Sequence, residues 1–184
     1  VFNPHKWMFT NFDCSAYFVK DRGALIRTFE ILPEYLKTKE GTVVNNYRDW
    51  GIPLGRRFRA LKLWMVLRTY GVAGIQEKVR EHIRLAHGVV ERIIESHEFE
   101  LLAPTPLNVL CFRYHPSEVE ELQELNALNE RLLERVNGTG KVYMTHTKLS
   151  GVYTLRLVIG QTNVTQEDVE IAWETIRGCA EELG

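Results

Sequence analysis

Val1-Phe2-Asn3-Pro4-His5-Lys6-Trp7-Met8 is the stretch around which the chain is organised. Asn3-Pro4 predicts a turn or a strand end, because proline fixes its own φ and pushes the preceding residue towards extended conformations. Lys6 is therefore expected just past a strand end, where α/β proteins usually place their sites. A lysine there could form an imine with a carbonyl cofactor or substrate. A lysine considered alone is more often a solvated surface charge, so its sequence context has to decide.

The composition is that of an ordinary soluble globular protein, with 45% hydrophobic and 26% charged residues among 184. The formal net charge of −1 gives no reason to expect nucleic acid or an anionic membrane as a partner. No apolar run approaches the ~20 residues that a membrane-spanning helix needs. Cys14, Cys111 and Cys179 lack the spacing of metal ligands or of a disulfide framework. We therefore expect no metal and a reducing, cytoplasmic setting.

The first half of the chain reads as strand, loop and helix in turn. Residues 12–20 predict a second buried strand, and residues 24–29 a short helix. Residues 32–46 have no sustained periodicity, as in a functional loop. A helix is expected from Arg56 or Arg57 to Tyr70, apolar nearly all round, which indicates burial in a larger protein or at a subunit contact. After the break at Gly71 and Gly74 a second helical pattern runs to Ile94.

The second half reads as a compact α/β unit. Strands are predicted at 99–102 and 107–114, and a hairpin from 141–149 and 152–159 around Ser150-Gly151. Ser117 and Glu120 match a capping box for a helix that Asn137-Gly138-Thr139-Gly140 ends. Thr165 caps the last helix.

The run Asn3-Pro4-His5-Lys6-Trp7-Met8-Phe9-Thr10-Asn11-Phe12-Asp13-Cys14-Ser15-Ala16-Tyr17 resembles the cofactor-lysine segment of the group II pyridoxal-phosphate-dependent decarboxylases, and its nearest branch resembles the aromatic-L-amino-acid decarboxylases. The resemblance covers nearly the whole chain, which corresponds to the C-terminal two-fifths or so of such a protein. It implies an α/β fold of the pyridoxal-phosphate-dependent transferase (aspartate aminotransferase) type. The expected division is the end of the large cofactor-binding domain at 1–73, a connecting helix at 74–96 and a small α/β domain at 97–184.

The resemblance also assigns roles to the opening residues. It implies that Lys6 forms a Schiff base with the aldehyde of pyridoxal 5′-phosphate and that Asn3 contacts the cofactor phosphate. His5 would lie near the cofactor. From the residues alone, Asn3 is equally well a turn residue locked before Pro4, and His5 a satisfied, partly buried imidazole.

Tyr35 is the second catalytic candidate, within Leu32-Pro33-Glu34-Tyr35-Leu36-Lys37. In the family that this segment resembles, a tyrosine on a mobile loop protonates the carbon left after decarboxylation. A phenol with a pKa near ~10 keeps its proton at neutral pH and can donate it. Related enzymes with phenylalanine there make aldehydes by oxidative deamination, so Tyr35 favours simple decarboxylation. An exposed loop tyrosine without a catalytic role is the ordinary alternative.

Two further sets of residues match the family or suggest a charge pair. Gly55 and Arg56 lie in a segment, 53–59, that the resemblance places at the subunit interface near the substrate. Arg156 lies in a predicted strand and, if half-buried, needs a carboxylate partner. We expect that partner to be structural, with binding of a substrate carboxylate as the alternative.

These observations lead to one prediction with two alternatives. The parent protein is expected to be a homodimeric decarboxylase of an aromatic L-amino acid, with the active site at the interface. This chain starts at Val1 and is expected to be part of a longer polypeptide that is inactive without its upstream half. The alternatives are a decarboxylase of histidine, glutamate or diaminobutyrate, and a non-catalytic structural or dimerisation fragment.

Overall fold

The computed structural model describes residues 1–31 and 44–184. The chain divides into two compact units, Val1–Val72 and Ala73–Gly184. No helix in the described part of the chain is long and apolar enough to cross a membrane. The division of the chain into domains with separate roles stays a prediction.

The first unit contains little regular structure before its main helix. Helix α1 spans Arg22–Phe29, as its sequence pattern predicts, and Asp21 caps it by accepting a hydrogen bond from the Ala24 N–H at 3.0 Å. A 3₁₀ helix spans Tyr47–Trp50. Among the residues described in this unit, an isolated antiparallel bridge joins Phe2 and Ala16.

The buried strand predicted at residues 12–20 is wrong. The described residues provide no neighbouring strand there beyond the Phe2–Ala16 bridge, and a strand without neighbours leaves its backbone groups unpaired. Phe12 and Phe18 are 83% and 77% exposed. The apolar pattern therefore does not mark a buried strand: Cys14 is buried, whereas Phe12, Tyr17 and Phe18 are exposed.

Helix α2, Arg59–Glu95, is interrupted at Gly71. Gly71 has φ 65° and ψ 175°, a left-handed backbone value that glycine adopts without the steric cost of a Cβ. The break confirms the one predicted at Gly71, although the helix begins two or three residues later than expected. Before the break, Trp64 and Met65 are more than half exposed. Their exposure agrees with a sequence that places apolar residues nearly all round this helix.

The second unit is built on a four-stranded antiparallel sheet in the order β1-β2-β4-β3. The strands are β1 Phe99–Leu101, β2 Val109–Tyr114, β3 Thr145–Leu149 and β4 Val152–Val158. They confirm the predicted strands and the hairpin, which turns at Ser150 (φ 51°) and Gly151 (φ 85°).

Helices cover one face of this sheet. Helix α3 spans Leu122–Gly138 and helix α4 spans Gln166–Glu181, capped by Thr165 in a capping box with Asp168. Alternate residues of β2 and β4 point into a core shared with α3, α4 and the later part of α2. The largest side chains with 0% or 1% exposure are Phe112, Leu85, Ile93, Leu110, Leu132, Leu155 and Ile176.

Three asparagines fasten α3 to the backbone of the sheet region. Asn129, fully buried, accepts from the Tyr114 N–H and donates to the Tyr114 carbonyl, both at 2.8 Å. Asn126 accepts from the Tyr153 N–H at 2.7 Å, and Asn137 accepts from the Met144 N–H at 2.8 Å. Each amide satisfies backbone groups that would otherwise be buried without partners.

Two local predictions in this unit are wrong. Ser117 and Glu120 do not form a capping box: α3 begins at Leu122 after Glu121, which makes no side-chain cap, and the Ser117 hydroxyl donates to Glu118 instead. Arg156 has no carboxylate partner in the described part of the chain. Its guanidinium donates to the Thr145 hydroxyl at 3.4 Å, because the strand register places Thr145 directly beside it.

Candidate functional site

Lys6 projects from a turn that spans Pro4 to Met8. The Lys6 N–H donates to the Asn3 carbonyl at 2.9 Å, and the Thr10 N–H donates to the Pro4 carbonyl at 3.2 Å. The Lys6 residue is exposed, and its amine makes no hydrogen bond or ion pair within the described ranges. The turn therefore fixes the backbone of Lys6 while the amine stays open to a reaction partner.

His5 is held against Cys14 on the far side of this turn. The His5 N–H donates to the Cys14 carbonyl at 3.3 Å. The ring nitrogen Nδ1 lies 3.0 Å from the Cys14 nitrogen and 2.7 Å from the Cys14 carbonyl oxygen, so it can accept from the first or donate to the second according to its tautomer. The ring also packs edge-on against Phe12, 5.0 Å between centroids.

Asn3 is oriented by Ser15. The Ser15 hydroxyl donates to the Asn3 side-chain oxygen at 2.6 Å. Two backbone hydrogen bonds between Phe2 and Ala16, at 3.0 and 2.8 Å, bring the two segments together. Because Ser15 uses the amide oxygen, the Asn3 NH₂ group keeps its donors for another acceptor, such as a phosphate oxygen.

Asp13 joins the Lys6 segment to the start of α2. Its carboxylate accepts from Arg57, and from the Arg59 Nε at 3.1 Å. Burial acts to raise the pKa of Asp13, but hydrogen bonds from its own backbone and Arg57, with the charges of Arg57 and Arg59, outweigh it and hold the pKa below its ordinary value. Two of the three arginines in Gly55-Arg56-Arg57-Phe58-Arg59 are thus used within the unit.

Gly55 and Arg56 are both exposed. A Cβ placed on Gly51 would lie 3.1 Å from a terminal nitrogen of Arg56, whereas one on Gly55 would meet open space. The Arg56 guanidinium therefore packs beside the Gly51 backbone. A role for Gly55 and Arg56 towards substrate or a second subunit stays a prediction.

Tyr35, the second predicted catalytic residue, lies outside the described residues, as does the rest of the segment 32–43. Its role stays a prediction that rests on the sequence.

The donor set around the turn fits pyridoxal phosphate in part. An accessible primary amine suits its aldehyde, and the Asn3 amide donors suit its phosphate. Groups that would face the pyridine nitrogen or stack on the ring are not identified among the residues that the structure describes. These residues would thus supply one wall of a cofactor site.

Sequence reasoning missed Asp13 and Ser15 as residues that hold this wall. Both are polar residues within an otherwise apolar and aromatic run. That contrast was the available signal, since a buried-strand interpretation of residues 12–20 leaves their polar groups without partners.

The family model described as "Pyridoxal-dependent decarboxylase conserved domain" matches residues 1–115 of the chain. The chain is 43% identical to an aromatic-L-amino-acid decarboxylase of Sus scrofa, over 99% of the chain and 36% of that protein. It is 44% identical to a phenylacetaldehyde synthase of Arabidopsis thaliana, over 95% of the chain and 36% of that protein. These matches confirm the family predicted from the Lys6 segment.

Among solved structures, Oryza sativa TDC with PLP and tryptamine matches with a TM-score of 0.91 and 36% identity, over 98% of this chain and 38% of that chain. The match confirms the predicted fold class. The chain therefore spans little more than a third of the length of the relatives it matches.

Proposed function

Since the chain belongs to the pyridoxal-dependent decarboxylase family, we propose that the complete protein converts an aromatic L-amino acid to its amine and carbon dioxide. The observation that carries the proposal is the accessible Lys6 amine on a turn fixed by hydrogen bonds to Asn3 and Cys14. Asn-Pro-His-Lys followed by the aromatic run is also the segment through which the chain resembles this family.

We infer that this chain contributes the following groups to the reaction. Pyridoxal phosphate, when bound, supplies an acceptor for the electron pair released as the carboxyl group leaves. Lys6 would hold the cofactor through Nζ, and Asn3 would donate to the phosphate from Nδ2. His5, fixed by Cys14, would lie near the cofactor with its ring oriented by that contact.

Tyr35 would return a proton to the substrate carbon. Decarboxylation breaks one C–C bond and leaves the electron pair on the α-carbon side, so the amine forms only when that carbon gains a proton. A phenol supplies it from its hydroxyl and is recharged from water. The support for Tyr35 is its place in Leu32-Pro33-Glu34-Tyr35-Leu36-Lys37.

The partners that we propose are a second copy of the complete protein and the upstream half of the same polypeptide. Exposed apolar side chains support this: Phe12 and Phe18 near the Lys6 turn, and Trp64 and Met65 on α2. Aromatic side chains and methionine are enriched at protein–protein interfaces relative to the rest of the surface. Residues 53–59, with Gly55 and Arg56, would belong to the dimer interface, and a cytoplasmic location accords with these proposals.

Borohydride reduction tests the role of Lys6. The full-length protein is treated with pyridoxal phosphate and borohydride, digested and mapped by mass spectrometry. We expect the reduced adduct on Lys6 and its loss in Lys6→Arg, while Lys20→Arg leaves it in place. An adduct that persists on another lysine of the wild-type protein would overturn the assignment.

Product analysis separates decarboxylation from the alternatives. With phenylalanine, tyrosine, dihydroxyphenylalanine or tryptophan, we expect amine and carbon dioxide in equal amounts and no aldehyde, hydrogen peroxide or ammonia. Aldehyde as the main product would instead support the activity for which the Arabidopsis relative is named. Turnover restricted to histidine, glutamate or diaminobutyrate would support the other decarboxylases.

We also expect the 184-residue chain alone to decarboxylate nothing, because one wall of a site does not enclose a cofactor. Turnover by the purified chain, free of any complementing piece, would contradict this. A full-length protein that binds no cofactor would favour a structural or dimerisation role.

A further inference from the structure

An open cavity lies in the second unit, between the end of β2, the first turns of α3 and the last residues of the chain. We call it the C-terminal cavity. Its volume is about 590 Å³, within the range of small-molecule sites. Pro116, Val119, Leu128 and Leu183 give it apolar walls. All of its lining residues belong to the unit Ala73–Gly184.

The cavity carries an excess of negative charge. Glu98, Glu118, Glu124 and Glu181 line it, and Arg131 is the guanidinium among its lining residues. Glu181 is also paired with Arg177 at 3.6 Å, so the carboxylates exceed the guanidiniums by two. Within residues 1–31 and 44–184, the carboxylates of Glu98 and Glu124 have no hydrogen bond or ion pair. Their charges are therefore available to a ligand.

Tyr114 adds a hydroxyl group on a buried side chain that lines the cavity. The residue is only 2% exposed, and its backbone N–H and carbonyl are both bonded to Asn129. Its hydroxyl has no hydrogen-bond partner in the described part of the chain, and a Cβ placed on Gly184 would lie 2.9 Å from it. Burial, followed by the charges of Glu98, Glu118 and Glu181, raises the pKa of the phenol, so the group stays a neutral donor and acceptor.

We propose that the C-terminal cavity binds an arylalkylammonium ion. The apolar walls suit the aryl group, the unpaired carboxylates suit the ammonium, and the Tyr114 hydroxyl can accept from an N–H. The amino acid with the same aryl side chain also carries a carboxylate, which the excess negative charge of the cavity repels. The cavity would thus prefer an amine to its parent amino acid, and its use as a site for the reaction product rests on the proposed function.

Ligand titrations followed by heteronuclear NMR test the site on the 184-residue chain without cofactor. The probes are phenethylamine, its neutral analogue phenethyl alcohol, and L-phenylalanine. We expect saturable shifts of Ala127 and Leu183 with phenethylamine, and binding at least about tenfold weaker for the other two. Equal binding of the alcohol, or no saturable binding of phenethylamine, would overturn the proposal.

Variants locate the binding and separate it from any effect at Lys6. Glu98→Gln combined with Glu124→Gln should weaken phenethylamine binding by about fivefold, the size expected for exposed ion pairs. Glu134→Gln, on the same helix but outside the cavity, should leave it unchanged. Ala127→Trp should abolish binding by filling the cavity, and an unchanged affinity in this variant would place the ligand elsewhere.

This test and that of decarboxylation are independent. Binding by the cofactor-free chain requires no turnover, so its absence would leave the proposed reaction standing. The full-length protein could fail to decarboxylate and still bind phenethylamine in this cavity. That result would remove only the interpretation of the ligand as a reaction product.

Discussion

His5 and Cys14 are joined by backbone and ring contacts at once, with Nδ1 of His5 within 3.0 Å of the Cys14 nitrogen and within 2.7 Å of its carbonyl oxygen. The backbone hydrogen bond from His5 to Cys14 adds a third contact. Since His5 precedes Lys6, this pairing restrains the backbone from which Lys6 projects. Residues 2–6 and 14–16 therefore act as one support for the turn that carries Lys6.

His5→Phe keeps an aromatic ring against Phe12 but removes the ring nitrogen. We expect the free energy of unfolding to fall by about 1 kcal/mol, because a partly buried Cys14 backbone group loses its partner. His97→Phe, at an exposed histidine, should change it by less than about 0.5 kcal/mol. Urea denaturation of the two variants beside the wild type measures the difference, and equal effects would deny the ring nitrogen a structural role.

Asp13→Asn should make the stability of the folded chain less dependent on pH in the acid range. The pKa of Asp13 is held below its ordinary value in the folded chain, so its ion pairs stabilise the protein above the unfolded pKa of ~3.9. This contribution is lost as the pH falls through the lower, folded pKa. We expect the wild type to be more stable than the variant at pH 7, and the difference in denaturation midpoint to shrink at pH 3.

The control for Asp13 is Glu30→Gln, at an exposed carboxylate on the C-terminal side of α1. Its difference from wild type should be small at both pH values. A difference between wild type and Asp13→Asn that persists undiminished at low pH would mean that the ion pairs to Arg57 and Arg59 are not its source.

The second unit was largely predictable because each of its elements carries its own signal. Alternation along β2 identifies its buried face, and Thr165 with Asp168 marks the start of α4 within four residues. Such signals depend on neighbours in the sequence. The capping box predicted at Ser117 was wrong for the same reason, namely that the signal is local. A capping box and a serine bonded to the next glutamate have similar local sequences.

The Lys6 site was predictable only as a set of residue types. The apolar pattern of residues 12–20 shows that a face needs cover, but not which element provides it. Asp13 and Arg57 are 44 positions apart, and no local pattern joins them. The pairing of His5 with Cys14 is likewise a product of the chain folding back, which a short window of sequence cannot show.

Asn129→Leu should strongly destabilise the second unit. The side chain is fully buried and satisfies both the N–H and the carbonyl of Tyr114. Leucine of similar size leaves both groups buried without partners, at a cost of about 2 to 4 kcal/mol in the free energy of unfolding. Gln123→Leu, exposed on the same helix, is the control. A loss below about 1 kcal/mol for Asn129→Leu would show that water replaces the amide.

Trp50 offers a substitution that should stabilise the chain. Its Nε1 is buried without a hydrogen-bond partner among residues 1–31 and 44–184, while its ring packs against Tyr47 and lies 5.2 Å from the Arg22 guanidinium. Replacing the indole by 3-benzothienylalanine keeps the ring shape and removes the N–H. Because an unpaired buried donor costs about 1 to 3 kcal/mol, we expect the free energy of unfolding to rise by about 1 kcal/mol in denaturant titrations.

The same replacement at Trp64, which is 56% exposed, should have almost no effect, because water can satisfy an exposed indole. A fall in stability at Trp50 would mean that its N–H has an acceptor in solution. The free energy of unfolding could rise in the isolated chain and fall in the full-length protein. The acceptor would then lie in the upstream half or the second subunit, because only the full-length protein contains them. Trp50 would then mark a contact that orders the segment leading to Gly55 and Arg56.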